Sequence, residues 1–505
     1  MSRIVDILLT DLRSLITDLG KDGGLISPSV YDTAQVLRLY PPQQGVWPAV
    51  EWLLGQQHAD GGWGDPAVPL ARDLPTLASV LALQTYGNRK ATRDGAQTGL
   101  AFLRRQLSQW SQPLPDDLPI GVELLLPWLL DEATVLELEL PREPYAPLVA
   151  LGKQRQQMIV QMQPGTATTA AHSWEAWGAG HDPALINGVG GVGHSPAATA
   201  AWLNKAAGRT HLVDVREAGQ RYLEQAAAAT GECIPGLVPT VWPINRFEQS
   251  FVLYILLITG LLEYHQLQDI VHTQVNNLAD ALRPNGFGMS DFFIPDGDNT
   301  AAGIAVLCAA GHQVDTAILR QFENGDHFFA YPSELQPSLS VTARAVHALA
   351  LSGEEVARAQ KFLIERQYPD GRWPGDKWHS SWLYTTLQVI LALIDSAHIG
   401  SLKLAVEAML AYQYADGGWG TSKSTTTETV YGVLALRTLR NYGLLARDSL
   451  DALRKAYQWL LRNYHPFNVS EEKYWIGKEL YRPYRIDRAF ELSTMLMLAL
   501  EEDSE

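Results

Sequence analysis

"QYADGGWG" (413–420) joins a turn signal to a tryptophan, and the same frame recurs at "QHADGGW" (57–63) and "QYPDGRW" (367–373). Each copy reads Gln, three residues, Gly, any residue, Trp. Each follows a helix-like stretch: "AVEWLLGQ", "AQKFLIERQ" and "AVEAMLAYQ". Gln367 and Gln413 are 46 residues apart, a period that suits a repeat of helical hairpins. Asp-Gly marks a turn, where glycine relieves the strain of a positive φ. The glutamine is expected to stay within reach of the turn backbone, with the tryptophan packed beside it. "ALRPNGFG" (281–288) reads as a worn copy, with Phe287 in the tryptophan's place.

Between the turns the pattern is helical almost throughout. "LPTLASVLALQTYG", "SPAATAAWLNKAAG", "VTARAVHALALSG" and "TTETVYGVLALRTLRNYG" are apolar at i, i+3 and i+4, and end at a C-capping glycine. Alternating strand patterns are nearly absent. The expected fold is all-α, with hairpins stacked into two α-barrels. Proline-rich joins at 112–119 and 235–243, and two of the three turns beyond residue 283, suggest the division. It runs as an N-terminal helix, 1–22, packing on the second barrel, then one barrel over 23–275 and another over 276–505.

The bulk properties narrow the function. Of 505 residues, 39 are Lys or Arg and 55 Asp or Glu; the net charge of −16 argues against nucleic acid. Cys233 and Cys308 offer neither zinc spacing nor a disulfide framework, which suits a cytoplasmic setting. The first twenty residues alternate charge with apolar positions, unlike a signal peptide. The longest apolar run, "SFVLYILLITGLL" (250–262), is shorter than the ~20 residues of a membrane span, so it reads as a buried helix. Peripheral membrane contact remains compatible with this chain.

"IPDGDNTAAG" (294–303) is the segment with chemistry. Asp296, Asp298 and Asn299 precede an alanine-rich apolar run, as a helix cap would or the acid of an active site would. A calcium loop fails on spacing, because the twelfth position counted from Asp296 is Leu307 where a bidentate glutamate is required. HExxH, a P-loop lysine motif, a dinucleotide fingerprint and G-x-S-x-G are missing from the sequence. "PDDLP" (115–119) lacks a third aspartate at the spacing of an aspartate-rich metal site, so Asp116 and Asp117 are expected in a solvated loop.

The Gln/Trp turns, the helical barrels and the acidic Asp-x-Asp segment together resemble class II terpene cyclases, the superfamily of squalene–hopene cyclases and bacterial class II diterpene cyclases. "LPTLASVLAL" (74–83), "GVELLLPWLL" (121–130), "SPAATA" (195–200), "DKWHSSWLYTT" (376–386) and "WIGKELYRPYR" (475–485) are similar to the diterpene-cyclase branch, and the resemblance spans about residues 45–490. It implies a βγ pair of barrels with the active site between them. It also implies that Asp296-Gly297-Asp298-Asn299 matches the family's Asp-x-Asp-Asp motif, with Asp298 as proton donor. Asn299 departs from the family's fourth aspartate.

An acid that protonates an alkene must be neutral before the transfer and well stabilised after it. Burial favours the protonated form of Asp298. A helix start supplies free backbone N–H groups and the positive dipole end for the carboxylate that remains. The Asn299 amide is expected to add another donor, and Asp296 to share or return a proton. The cation then requires a dry pocket of aromatic faces. Candidate walls are Trp110, Trp174, Trp242, Phe293, Trp378, Trp382, Tyr384 and Trp475, each with core packing as its competing role. His379 and Tyr481 are candidate proton relays. Trp63, Trp373 and Trp419 belong to the structural turns.

The resemblance leaves two substrate classes. Diterpene cyclases act on geranylgeranyl diphosphate, usually with magnesium held by the diphosphate. In "KQRQQMIVQM" (153–162) Arg155 matches the family's basic stretch, but Met158 stands where a lysine is expected. That loss and Asn299 favour a polyprenyl chain without a diphosphate: the geranylgeranyl arm of a hydroxybenzoate, as in meroterpenoid cyclases of the merosterolic acid synthase type. That substrate would require no cofactor and no metal. The expected partner is in either case a hydrophobic polyprenyl small molecule. A non-enzymatic α-solenoid binding module is the remote alternative.

Overall fold

A computed structural model describes all residues except 1, 2, 112, 116, 117, 163, 164, 166, 167, 333, 335, 446–448, 467–470 and 503–505. Asp116 and Asp117 therefore lie outside the described residues. Helix α1 (Arg3–Thr17) leads nine further helices of the N-terminal half. These are α2 (Val30–Leu39), α3 (Trp47–Gly55), α4 (Asp73–Thr85), α5 (Lys90–Gln106), α6 (Val122–Val135), α7 (Ala146–Met162), α8 (Trp174–Trp177), α9 (Pro196–Lys205) and α10 (Val213–Ala228). The rest begin with α11 (Asn245–Thr259), α12 (Gln268–Asp280), α13 (Gly297–Ala309), α14 (Leu339–Leu351) and α15 (Ala357–Glu365). They continue through α16 (Trp382–Leu393), α17 (Ile399–Ala411), α18 (Thr426–Asn441), α19 (Leu450–Asn463) and α20 (Tyr484–Glu502). The strands among the described residues form two short antiparallel hairpins, β1 (Glu323–Asn324) with β2 (His327–Phe328) and β3 (Trp475–Ile476) with β4 (Leu480–Tyr481).

Packing closes two rings. Helix α2 packs on α4, α4 on α6, α6 on α8, α8 on α9, and α9 returns to α2. In the second ring the order is α11, α13, α14, α16, α18, α20, and α20 returns to α11. The second-ring helices are nearly continuous in buried residues, whereas α19 on its outside keeps one apolar face. That is how a helix walled in on all sides differs from one facing water. Helix α1 buries Val5, Leu8, Leu12 and Ile16 against α20 and α12.

The Gln/Trp turns fasten successive hairpins. The glutamine side-chain amide donates to the carbonyl of the turn glycine, Gln57 to Gly61 at 2.8 Å, Gln367 to Gly371 at 2.9 Å and Gln413 to Gly417 at 2.8 Å. The tryptophan indole N–H donates ten residues back, from Trp63 to Leu53, Trp373 to Leu363 and Trp419 to Met409. Gly417 has φ of 100°, and a Cβ there would stand 2.7 Å from the Lys455 carbonyl oxygen, so two separate constraints require glycine. One further bond recurs. The backbone N–H of the turn's last residue meets a threonine hydroxyl on the next ring helix: Trp63 with Thr76, Trp373 with Thr386, Trp419 with Thr429. Phe287 with Thr300 repeats it, as do Val192 with Thr199 and Phe328 with Thr342. These last two copies have lost both Gln and Trp and escape a sequence search on those letters.

The division near residue 275 expected from the sequence cuts through a core. Phe247 to Leu256 of α11 and Val271 to Leu278 of α12 share one hydrophobic cluster with residues 287–499, and α11 is a member of the second ring. The proline-rich stretch 235–243, one of the two joins, lies closer to the change of core.

Candidate active site

The acid segment sits on the rim of the second ring. Asp296 caps α13, accepting from the Asn299 backbone N–H at 2.7 Å. The cap interpretation is thus correct and does not compete with the acid one. The Asn299 side-chain amide donates to the other Asp296 oxygen at 2.8 Å, and its own oxygen accepts from the Ser250 hydroxyl at 3.0 Å. This corrects one expectation, since Asn299 spends its amide on Asp296 and not on Asp298. The Asn299 amide thus bridges Ser250 on α11 and Asp296.

Asp298, in the first turn of α13, pairs with Arg344 of α14. Arg344 is the charge in the otherwise apolar run "LSVTARAVHALAL", and that isolation was a signal in the sequence that pattern reading missed. Its guanidinium also bonds to the Tyr384 hydroxyl and stands 4.5 Å from the centre of the Phe251 ring. A charge so buried persists only with such partners. Burial raises the Asp298 carboxyl above its ordinary range, with Arg344 pulling against it. Burial pushes Asp296 up to about 7, opposed by the two Asn299 hydrogen bonds. The site therefore holds two carboxyl groups biased toward protonation beside a permanent cation.

Asp376 forms a second layer. One of its oxygens accepts from the hydroxyls of Ser338 and Ser340 and the Ser340 backbone N–H, the other from the backbone N–H groups of Trp378 and His379. This locks the segment 376–380 under the acid. His379 stacks on Tyr384 at 3.9 Å, and burial lowers its basicity far enough to keep the ring neutral.

Asp296, Asp298 and Asn299 face a cavity of about 60 Å³ walled by Phe247, Met289, Tyr331, Trp378, Trp475 and Tyr481. That is far less than the ~300–1,000 Å³ of ordinary ligand pockets, so the walls must part to admit a molecule of ordinary ligand size. Trp475 packs edge-on to Phe247 and Tyr384 within 5.4 Å and is held by its indole bond to Asp487 at 3.0 Å. The Trp378 indole N–H is buried without a partner among the described residues.

The expected aromatic set divides. Trp378 and Trp475 line the cavity, and Tyr384 stands one layer behind it through Arg344. Phe293 packs between His194 and the wall residue Tyr331. Trp382 packs edge-on to the exposed Tyr412. Trp110, Trp174 and Trp242 lie elsewhere: Trp110 bonds Asp73 at 2.7 Å inside the first ring, and Trp174 and Trp242 belong to the core around Trp202 and Tyr222. Helical periodicity places a tryptophan inside, but does not say inside which barrel. Tyr481 does line the cavity, whereas His379 is buried behind it. Met158 is 41% exposed on the last turn of α7 and does not line the acid cavity, and Arg155 lies 3.8 Å from Glu123. Among the described residues no group of three or more histidine, cysteine or carboxylate side chains could hold a metal ion. No helix among them is long and apolar enough to cross a membrane.

Residues 329–438 match the model of the squalene-hopene cyclase C-terminal domain. The chain is 52% identical to a (+)-kolavenyl diphosphate synthase of Herpetosiphon aurantiacus, covering 99% of each. It is 33% identical to an ent-copalyl diphosphate synthase of a Streptomyces species, covering 94% of this chain and 92% of that one. The solved ent-copalyl diphosphate synthase of Streptomyces platensis superposes with a TM-score of 0.80 at 27% identity, covering 98% of this chain and 99% of the other. On likeness of that extent, end to end, the chain belongs to the class II terpene cyclase superfamily and is an enzyme of the cyclase type.

Proposed function

We propose that this enzyme cyclises geranylgeranyl diphosphate to a bicyclic diphosphate, with Asp298 as proton donor and the diphosphate left intact. The observation that carries the proposal is the buried Asp298–Arg344 pair on the wall of an aromatic cavity. Protonated Asp298 gives its proton to the terminal alkene. The O–H bond breaks, a C–H bond forms from the π electrons, and the chain becomes a tertiary cation. The new carboxylate is stabilised by Arg344 and by the N-terminal turn of α13, groups already oriented before the reaction. Phe247, Trp378 and Trp475 present π faces to the migrating charge without offering a nucleophile. The cascade ends when a carbon next to the final cation gives its proton to water and the C–H electron pair becomes the product alkene, and Asp296, pushed up to about 7, is suited to reload its neighbour.

The Herpetosiphon and Streptomyces relatives, matched over nearly the whole chain, carry names of diphosphate synthases, which supports a diphosphate head over the meroterpenoid substrate expected from the sequence. The Asn299 amide bonds Asp296, a contact that does not depend on the substrate's head group. We also place the division between the barrels near residue 240, where the cores change, with the first helix belonging to the second barrel. Magnesium would arrive with the diphosphate and help to hold it, while the proton comes from Asp298. The test offers purified enzyme geranylgeranyl diphosphate or a geranylgeranylated hydroxybenzoate, each with and without EDTA. A bicyclic diphosphate suppressed by EDTA supports the proposal. Cyclisation of the benzoate alone, indifferent to EDTA, overturns it.

A further inference from the structure

The β3–β4 hairpin brings Trp475 and Tyr481 to the acid cavity, yet its turn reaches into the N-terminal half. Lys478, at that turn, is fully buried. Its ammonium donates to the Ser195 hydroxyl at 2.6 Å and to Glu175 at 2.8 Å, with Asp32 at 3.4 Å. Ser195 caps α9, Glu175 lies in α8 and Asp32 in α2, so the lysine ties three members of the first ring. The next residue, Glu479, accepts the Val30 backbone N–H at 2.5 Å. Tyr31 also donates to Glu175 at 3.0 Å, so the carboxylate is itself fixed.

The strands of this hairpin are two residues each and cannot set their own register. One edge is held by the segment behind the cavity, where the Ile476 N–H bonds to the Trp378 carbonyl at 2.9 Å and the Ser380 N–H to that of Tyr474 at 2.8 Å. The other anchor is the turn. Trp475 and Tyr481 stand three residues to either side of Lys478, so a shift of the turn moves both walls at once.

We infer that Lys478 is a positioning residue for the cyclisation: its buried contacts with Glu175, Asp32 and Ser195 set where Trp475 and Tyr481 stand around the acid, so that the N-terminal barrel governs product outcome at the second barrel's acid. Full burial and three protein partners distinguish this from a lysine that grips the substrate's head directly. The inference rests on the cyclase activity proposed above.

The test is steady-state kinetics and product analysis with geranylgeranyl diphosphate on Lys478→Met, Glu175→Gln and the double variant, each with a melting curve. Each single variant should lower kcat about tenfold or more and change the product ratio at a KM within about threefold of wild type, and the double should be no worse than the worse single. A product ratio unchanged in Glu175→Gln overturns the inference. So does a rise in KM alone in Lys478→Met, which would mean that the lysine holds the substrate. If Lys478→Met does not fold, Ser195→Ala removes one of the three lysine contacts together with the α9 cap, and a wild-type product ratio in that variant overturns it equally. Failure of the underlying activity is separable, because wild type itself would then give no product.

Discussion

Arg344→Met keeps an unbranched apolar stem in the buried position and removes the charge beside Asp298. Charges in contact at roughly 3–4 Å attract by about 4–6 kcal/mol at an effective dielectric of about 20. That attraction is absent while Asp298 is protonated and grows as the proton leaves, so about half or more of it is realised in the transition state. The barrier should therefore rise by about 2–4 kcal/mol, which is about 30- to 1,000-fold in kcat. A second signature runs the other way. Arg344 opposes the burial that raises the Asp298 carboxyl. Without the arginine the group holds its proton to higher pH, and the alkaline limb of the kcat profile should move up. The assay is kcat at saturating substrate across the pH range, with circular dichroism confirming that the helices persist. A kcat within tenfold of wild type, or an alkaline limb that moves down, would refute the role given to Arg344.

Asp296, pushed from 3.8 to about 7 by burial, makes stability depend on pH. The unfolded chain ionises first, so the contribution is fully present below about pH 4 and lost as the pH rises through about 7, at most about 4 kcal/mol for about three units. The stability of wild type relative to Asp296→Asn should fall over that window in denaturant titrations; a rise would contradict the sign. Trp110→His breaks the indole bond to Asp73 in the first ring. Products should be unchanged and the melting point lowered, whereas an altered product profile would return Trp110 to the cavity. Trp419→Ala removes a fully buried ring and the donor to the Met409 carbonyl. It should cost about 3–5 kcal/mol of stability, and a loss under about 1 kcal/mol would show that the turns are not fasteners.

The barrels were legible in the sequence because each fastening turn uses groups that act locally. Gln413, Gly417 and Trp419 lie within seven residues of one another and make their bonds whatever the rest of the chain does. The worn copies ending at Val192 and Phe328 were not legible, since Gln and Trp are gone from both while the threonine bond remains. The acid was legible in part. Asp296 and Asn299 meet through a helix cap, a contact three residues apart. Arg344 reaches Asp298 from 46 residues on, and its only trace was a charge inside an apolar helix. Phe247, Met289 and Tyr481 come to the cavity from three separate segments, and ring closure alone brings them together. Trp110, Trp174 and Trp242 read like wall residues because burial is all that periodicity reports.

The most direct test of Asp298 as proton donor is turnover of geranylgeranyl diphosphate in deuterium oxide, with the product analysed by mass spectrometry. Protonation from a solvent-exchanged carboxyl predicts a bicyclic diphosphate carrying a single deuterium from wild type, and none of that product from folded Asp298→Asn. An unlabelled cyclic product, or an Asp298→Asn variant within tenfold of wild-type activity, would contradict the account.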